Sequence, residues 1–247
     1  MASPVKLYQQ EMHNNLGFFA TWLPSTAIAL GDIGVLEGGR FRRVASLNEL
    51  GIGQPDVREG TAENVSYSAS ATRSDKISAS TGTPVPLANG ELAITFTSEG
   101  GYVFEAIQLK QLEVADRLTL ASRLLEAYEA GRWQKEWLLI DALYRAESAT
   151  ILVSEDSSSE VILKASAATL RTGLLSLADP KLGLGIASSS GKIIHIIAAN
   201  NLYPLYSCVK VRNPFPFGKA SVMPVRGRAD QHSTALRRPD INDLLNS

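Results

Sequence analysis

Apolar and polar residues alternate along several stretches of the chain, which is the pattern of β-strands that turn one face to a core. From Val65 to Thr72, Val, Tyr and Ala alternate with Ser and Thr. The alternation returns from Leu92 to Thr97 and, on both sides of a polar turn, from Ala149 to Ala165. These stretches predict antiparallel strands with hydroxyl groups on one face, whereas the polar run Arg73 to Lys76 predicts a turn.

Pairs of glycines mark the turns between further predicted strands. Gly38-Gly39 follows a strand predicted from Ile28 to Leu36, and Gly100-Gly101 leads into another from Tyr102 to Leu109. The stretch Gly53 to Glu63 has the composition of a loop. Three later strands are predicted at Leu182 to Ala187, Lys192 to Ala198 and Ser207 to Arg212.

Helical spacing appears most clearly after Asp116, which is a suitable N-cap residue. The predicted helix ends at Gly131. Its apolar stripe consists of Leu118, Ala121, Leu124, Leu125 and Tyr128. Further helices are predicted from Val5 to Asn14, with Leu7 and Met12 on the buried face, and from Ala168 to Ala178.

Together these elements predict an α+β fold with a twisted, mostly antiparallel sheet and flanking helices. The chain has 247 residues, 45% of them hydrophobic, so one sizeable core can form. After residue 217 the composition shifts to proline, glycine and arginine. The sequence therefore predicts an α+β domain over residues 1–217 and a C-terminal tail over residues 218–247.

Charge and cysteine content narrow the class of protein. The net charge of −1 argues against a nucleic-acid partner. The single cysteine, Cys208, cannot form an internal disulfide and is expected to be a small buried residue, which favours a reducing, cytoplasmic location. The N-terminal residues lack the apolar run of a signal peptide, and no segment approaches the roughly 18 apolar residues of a membrane-spanning helix.

Catalytic motifs are missing from the sequence, so we expect no enzyme, no cofactor and no metal. The sequence contains neither a Gly-x-Ser-x-Gly elbow nor a His-Glu-x-x-His helix, and its three histidines have no metal-ligand spacing. An enzyme with a dispersed site at Asp141, Arg145 and His195 is the last-ranked alternative. Trp133 and Trp137 are expected to anchor a corner between helix and strand.

The hydroxyl-rich strands allow two interpretations. One is an ordinary antiparallel sheet with one face in water. The other is a set of strands that line an aqueous pore, because a membrane β-strand needs about 9–11 residues whose alternate faces meet lipid and water. In the second interpretation the candidate lipid-facing residues are Val65, Tyr67, Ala69, Ala71, Ile77, Leu92, Ile94, Phe96, Ala149, Ile151, Val153, Val161 and Leu163.

The order of elements from Leu109 to Ala165 resembles the pore-forming domain of the gasdermin family. A helix is followed by a corner with two tryptophans and by an apolar strand that runs into Ser148 to Val153 and returns through Glu160 to Lys164. The size resembles the compact bacterial members. One departure is that those members carry an acylated cysteine near the N-terminus, where this chain begins Met-Ala-Ser-Pro-Val.

The resemblance implies a gasdermin-like pore-forming domain in its soluble, inactive state, an autoinhibited monomer in the cytoplasm. An activating protease would cut the tail at Arg226, Arg228, Arg237 or Arg238. The tail would hold the domain inactive through Ile241, Leu244 and Leu245. After cleavage the hairpins would enter the lipid of the inner cell membrane, and a homo-oligomer would form a β-barrel pore that kills the host cell, as in bacterial immunity. The alternative function is a non-lytic, β-rich protein-interaction module that uses the same strands as a stable sheet.

Overall fold

The computed structural model confirms the predicted fold class, a mostly antiparallel sheet with flanking helical segments. It describes residues 8–10, 12–14, 17–21, 27–37, 40–68, 73–78, 89–156, 158–166, 177–212 and 221–224. Residues 8–10 and 12–14 are helical, within the predicted helix Val5 to Asn14. The predicted helix Ala168 to Ala178 lies outside the described residues except for its last two positions, which form a turn.

The strands and helices follow one another along the chain as follows. The first half contains β1 (Phe19–Ala20), β2 (Asp32–Glu37), β3 (Arg40–Ser46), β4 (Val57–Glu59), β5 (Glu63–Ser68), β6 (Arg73–Ser78), β7 (Asn89–Phe96) and β8 (Tyr102–Val114). The second half contains helix α1 (Arg117–Glu129), β9 (Leu138–Ser154), β10 (Ser159–Ser166), a short 3-10 helix (Pro180–Leu182), β11 (Gly185–Ser190), β12 (Ile193–Arg212) and β13 (Ser221–Pro224).

Two sheets are formed. The larger has nine strands and contains the order β1-β12-β9-β2-β3, with β13 paired to β12, β8 paired to β9, and β4 and β5 paired to β8. The smaller has four strands in the order β11-β10-β7-β6, and all of its pairs are antiparallel. Both sheets are open, with β3 ending the path of the larger one and β11 and β6 ending the smaller one.

The chain divides into two compact units. The first unit comprises Met1–Tyr8, Ala62–Leu109 and Ala146–Leu202, and the second comprises Gln9–Thr61, Lys110–Arg145 and Tyr203–Ser247. Strands β8, β9 and β12, of 13, 17 and 20 residues, each contribute to both units. Gln108 in β8 and Asn201 in β12 have positive φ angles of 52° and 54°, and each is the next-to-last residue of its segment in the first unit.

The first unit has its own apolar core, in which the four-stranded sheet packs against the larger sheet. Strands β7 and β10 contribute to it from the smaller sheet, and Val103 of β8 and Leu152 of β9 contribute from the larger one. Leu177, in the connection between β10 and β11, completes the cluster. This part of the chain is therefore a two-layer β-sandwich.

The second unit has two apolar cores. One lies under helix α1, where Leu120, Leu124 and Ala127 pack with Trp133 and with the strand residues Val209, Val211 and Val222. The other surrounds Tyr206, whose ring stacks on Phe19 at 5.6 Å and meets Phe41 edge-on at 5.9 Å. Burial raises the pKa of the Tyr206 hydroxyl, and its neighbour Cys208, which is buried as predicted, adds to this effect.

Helix α1 has well-formed ends, both of which the sequence indicated. The Thr119 amide donates to the Asp116 carboxylate at 2.9 Å, and the hydrogen bonds from Thr119 lower the pKa of Asp116. At the other end Gly131 has a φ of 69°, and the Arg132 amide donates to the Ala127 carbonyl at 2.8 Å. This is a Schellman termination, which requires a residue that tolerates positive φ.

Four sequence predictions are wrong in detail. Leu118, expected in the apolar stripe of α1, is 71% exposed, because the helix turns Leu120, Leu124 and Ala127 inward instead. The expected turn at Arg73 to Lys76 is strand β6, since pairing with β7 outweighs its polar composition.

The other two corrections concern short elements. Val57–Glu59 forms strand β4 inside the expected loop, because it pairs with the end of β8. The strand expected from Leu182 begins only at Gly185, because Pro180–Leu182 forms a 3-10 turn capped by Asp179. In the predicted tail, Ser221–Pro224 pairs with Val209–Arg212, and the boundary at residue 217 stays a prediction.

Gly34 provides a test of the register in the second unit. A Cβ atom at this position would lie 2.3 Å from the carbonyl oxygen of Arg42, so β2 and β3 would have to move apart. We expect Gly34→Ala to lower the free energy of unfolding by about 1–3 kcal/mol. Tryptophan fluorescence during urea denaturation measures this, because Trp133 and Trp137 lie in the same unit.

The matched control is Gly60→Ala, where the nearest atom, Gln111 Cβ, would be at an ordinary 3.5 Å. We expect its effect to stay within about 0.5 kcal/mol. Equal losses of unfolding free energy in Gly34→Ala and Gly60→Ala would contradict the close approach of the β2 and β3 backbones at Gly34.

Candidate functional site

The two hydroxyl-rich regions of the sequence come together in the first unit. Strand β10, from the later region, pairs with β7, from the earlier one, with Ser159 opposite Phe96 and Ser166 opposite Asn89. Strand β6 pairs with the other edge of β7, and β11 with the other edge of β10. Residues far apart in sequence therefore form one continuous sheet.

The four-stranded sheet has one buried apolar face. Its described members are Ile94, Phe96, Val161 and Leu163, all of which the sequence singled out. The opposite face carries Thr95 and Ile162, which are half-buried, and Lys164, which is exposed. The period of two predicted from sequence is thus confirmed for β7 and β10.

A second set of the predicted residues lies on one face of the larger sheet. Val65 and Tyr67 of β5 are directly opposite Ala106 and Phe104 of β8, so the four side chains share a face. The rings of Tyr67 and Phe104 are 6.5 Å apart. We call this the reverse face of the larger sheet, because Val103 of β8 and Leu152 of the neighbouring strand β9 lie on its opposite face, in the sandwich core.

Strand β9 is buried on both sides where it passes through the first unit. All seven residues from Ser148 to Ser154 are buried. Since Leu152 belongs to the sandwich core, alternation places Ala149, Ile151 and Val153 on the reverse face. The structure therefore divides the predicted lipid-facing residues into two sets, one on each of two sheet faces.

The remaining predicted residues cannot be placed in this way. Ala69 and Ala71 lie outside the described residues, and Ile77 and Leu92 lie in strands whose side chains are not described there. The tail residues also lie outside the described part of the chain; these are Arg226, Arg228, Arg237, Arg238, Ile241, Leu244 and Leu245.

Sequence reasoning missed a polar group inside the sandwich. Glu105 of β8 is buried, and its Oε2 accepts a hydrogen bond of 2.6 Å from the Leu177 amide. Thr150 of β9 donates to the Leu177 carbonyl at 2.7 Å. The available signal was a single carboxylate within the apolar run Tyr102 to Ile107. Such a residue in a buried strand needs a partner inside the protein.

The three residues of the alternative enzyme site, Asp141, Arg145 and His195, are distributed over the two units. Asp141 is buried in the second unit, where it accepts a 2.9 Å hydrogen bond from Ser207 Oγ and lies 3.3 Å from Arg117 Nη2. Arg145 is exposed in the same unit, and His195 is an exposed strand residue of the first unit. These contacts suit a structural ion pair that ties α1 to β9.

Metal-binding clusters and membrane-spanning helices are two further classes of candidate site. Among the described residues, no group of three His, Cys, Asp or Glu side chains is arranged to hold a metal ion. In the same part of the chain, no helix combines the length and the apolar character that a membrane crossing requires.

Comparison with known proteins shows a structural likeness but no relative by sequence. No protein-family model matches the sequence, and the search of curated proteins found no match. Among solved structures, the chain is similar to the cryo-EM structure of the Gasdermin A3 membrane pore. The two are 12% identical, with 97% of this chain and 100% of that chain covered and a TM-score of 0.40.

The buried face of the four-stranded sheet makes a stability prediction. Val161→Thr places a hydroxyl in the apolar core, and we expect it to lower the free energy of unfolding by about 1–3 kcal/mol. Val65→Thr makes the same chemical change at a half-buried position of the first unit and is expected to cost less than about 1 kcal/mol. Urea denaturation followed by circular dichroism compares the two. A larger loss of unfolding free energy for Val65→Thr than for Val161→Thr would contradict the assignment of Val161 to the buried face.

Proposed function

We propose that the chain is a latent pore-forming protein whose hydroxyl-rich strands rearrange to line an aqueous channel through a membrane. The observation that carries the proposal is a pattern shared by both predicted regions. In each, apolar positions that are buried or half-buried alternate with positions that include hydroxyl and charged residues. A two-layer sandwich needs one apolar face on each sheet, whereas here the larger sheet also carries apolar residues on its reverse face.

Strand length also supports the proposal. A β-strand crosses a bilayer with about 9–11 residues, and β8, β9 and β12 have 13, 17 and 20. Strands in globular proteins are usually 3–10 residues long. Strands of this length could pass through a membrane without the addition of new residues.

Small side chains lower the free-energy cost of rearranging the strands at the edge of the four-stranded sheet. Strand β11, Gly185–Ser190, is exposed at all six positions and carries only Gly, Ile, Ala and Ser. Its pairing with β10 shifts register between Ile162 and Leu163. Because few large side chains fix this register, the edge of the four-stranded sheet can exchange partners at low cost.

The proposed cycle begins with an inactive cytoplasmic monomer held by the tail, residues 218–247. An activating protease cuts the tail at one of its arginines. The released apolar strand positions then enter the lipid of the cell membrane, and several copies assemble into a pore that kills the host cell. This regulatory scheme rests on the resemblance described for the sequence and on the composition of the tail.

Dye leakage from liposomes tests the proposal directly. We expect no leakage from the full chain and rapid leakage from a copy nicked between Gly218 and Leu236, with rings visible on the membranes by electron microscopy. A full chain with an uncuttable sequence at the same place, treated with the same protease, is the control. If the nicked protein stays monomeric and releases no dye from neutral or anionic vesicles, the pore hypothesis is wrong.

Neighbouring residues of β5 test which face meets lipid. Val65 is half-buried on the reverse face, and Ser66 is exposed on the other face. A lysine on the lipid side of a membrane strand costs about 2–4 kcal/mol near the midplane, whereas a lysine toward the channel is tolerated. We therefore expect Val65→Lys to reduce leakage by the nicked protein at least tenfold and Ser66→Lys to preserve it.

Circular dichroism of both variants before nicking checks that each is folded. The same leakage from the two folded variants would show that this face does not meet lipid. If only Ser66→Lys abolished leakage, the predicted faces would be reversed, as a one-residue shift in register would cause.

A further inference from the structure

Leu177 is held inside the sandwich by its side chain and by both of its backbone polar groups. The side chain is 8% exposed and packs in the core cluster of the first unit. The amide donates to Glu105 Oε2 at 2.6 Å, and the carbonyl accepts from Thr150 Oγ1 at 2.7 Å. About two-thirds of the hydrogen bonds in folded proteins join two backbone groups, whereas both of these join the Leu177 backbone to side chains, one from each of two strands.

Glu105 and Thr150 are polar residues at core positions of two neighbouring strands. Strands β8 and β9 pair in the larger sheet. Alternation places Glu105 on the same face as Val103 and Thr150 on the same face as Leu152, and both of these neighbours belong to the sandwich core. Apolar residues at these positions would bury more apolar surface, so the polar pair needs an explanation.

The geometry offers an explanation, because the two polar side chains and the Leu177 backbone provide hydrogen-bond partners for each other. A buried carboxylate or hydroxyl without a hydrogen bond is unfavourable, and so is a buried backbone group. Leu177 donates to Glu105 through its amide and accepts from Thr150 through its carbonyl. Withdrawal of Leu177 would leave polar groups on both sides without these partners and would open the core to water.

The position of Leu177 in the chain determines which parts of the sandwich this contact connects. The connection that carries it joins β10 to β11, two neighbouring strands of the four-stranded sheet. The side chains that hold it belong to the larger sheet. Leu177 therefore fastens the two layers of the sandwich to each other.

We propose that Leu177, clasped by Glu105 and Thr150, is the latch that keeps the sandwich of the first unit closed, and that its release is the opening step. The consequence for membranes rests on the proposed function, since opening would expose Ile94, Phe96, Val161 and Leu163 to lipid. The latch itself is a property of the folded chain in water and can be measured there.

Hydrogen–deuterium exchange of the full chain tests the latch. Thr150→Val keeps the size and the strand preference of the side chain and removes the donor to the Leu177 carbonyl. We expect amides in residues 159–166 and 177–184 to exchange about five- to tenfold faster, as the loss of one buried hydrogen bond implies. Thr95→Val, the same change on the opposite face of β7, is the control and is expected to leave these rates unchanged.

Glu105→Gln supplies a second variant that keeps an oxygen acceptor for the Leu177 amide but removes its charge. Because a charge-assisted hydrogen bond is about twice as strong as a neutral one, we expect a smaller increase in exchange, centred on residues 177–184. Equal amide exchange rates in Thr150→Val, Thr95→Val and the unaltered chain would overturn the latch. This conclusion would hold for any result of the leakage experiment.

Leakage by the nicked proteins separates this inference from the proposed function. Faster leakage by nicked Thr150→Val than by the nicked unaltered chain supports both the latch and the pore. Faster exchange with no leakage from any nicked protein supports the latch and contradicts the pore.

Discussion

The first unit depends on one constraint, the burial of strand β9 on both faces from Ser148 to Ser154. Polar side chains in such a strand need partners within the protein, since each unsatisfied one costs about 1–3 kcal/mol. Thr150 finds its partner in the connection between β10 and β11, and Ser154 donates to the Asp156 carbonyl at 2.7 Å. The Ser148 hydroxyl makes no hydrogen bond within the described residues. The buried strand thus positions both the turn that follows it and a connection more distant in sequence.

In the second unit, the polar group buried in β9 is a carboxylate, and a side chain of opposite charge is one of its partners. Asp141 lies in the same strand, and its carboxylate is held by Ser207 of β12 and Arg117 of α1. Arg117 also pairs with Glu113 at 3.1 Å, so that one guanidinium joins the helix to two strands. A pair of this kind contributes little net stability but makes displacement of either partner expensive. Helix α1 is therefore held in position by its first turn.

The sequence predicted the local patterns that depend on neighbouring residues. The cap at Asp116, the end at Gly131 and the alternation in β5, β7 and β10 all follow from residue types at short spacing, and the structure confirms them. Contacts between segments that are distant in the sequence could not be predicted from these short-range patterns. No local signal distinguishes Leu118 from Leu120 as the buried residue, because both fit a helical spacing and only the packing partner selects the phase.

The same limit explains what was missed at the candidate site. The apolar positions of β5, β7, β9 and β10 look alike in sequence, yet they occupy faces of two different sheets. Strand β6 has the composition of a turn and becomes a strand only because β7 supplies its hydrogen-bonding partners. Glu105 is recognisable as unusual, but its partner is a backbone group 72 residues away, which leaves no mark on residue type.

The left-handed residues Gln108 and Asn201 lie in two of the three strands that contribute to both units, each next to the point where its strand leaves the first unit. A non-glycine residue in this conformation costs roughly 1–2 kcal/mol, and at Gln108 the amide is held by Asn64 Oδ1 at 2.9 Å. Regular strand geometry has a negative φ at every residue, so each of these two positions departs from it within its strand. If β8 and β12 were to straighten along their whole length, both residues would relax at once. In the folded chain, each of these two strands thus carries one backbone angle that a fully extended strand would not have.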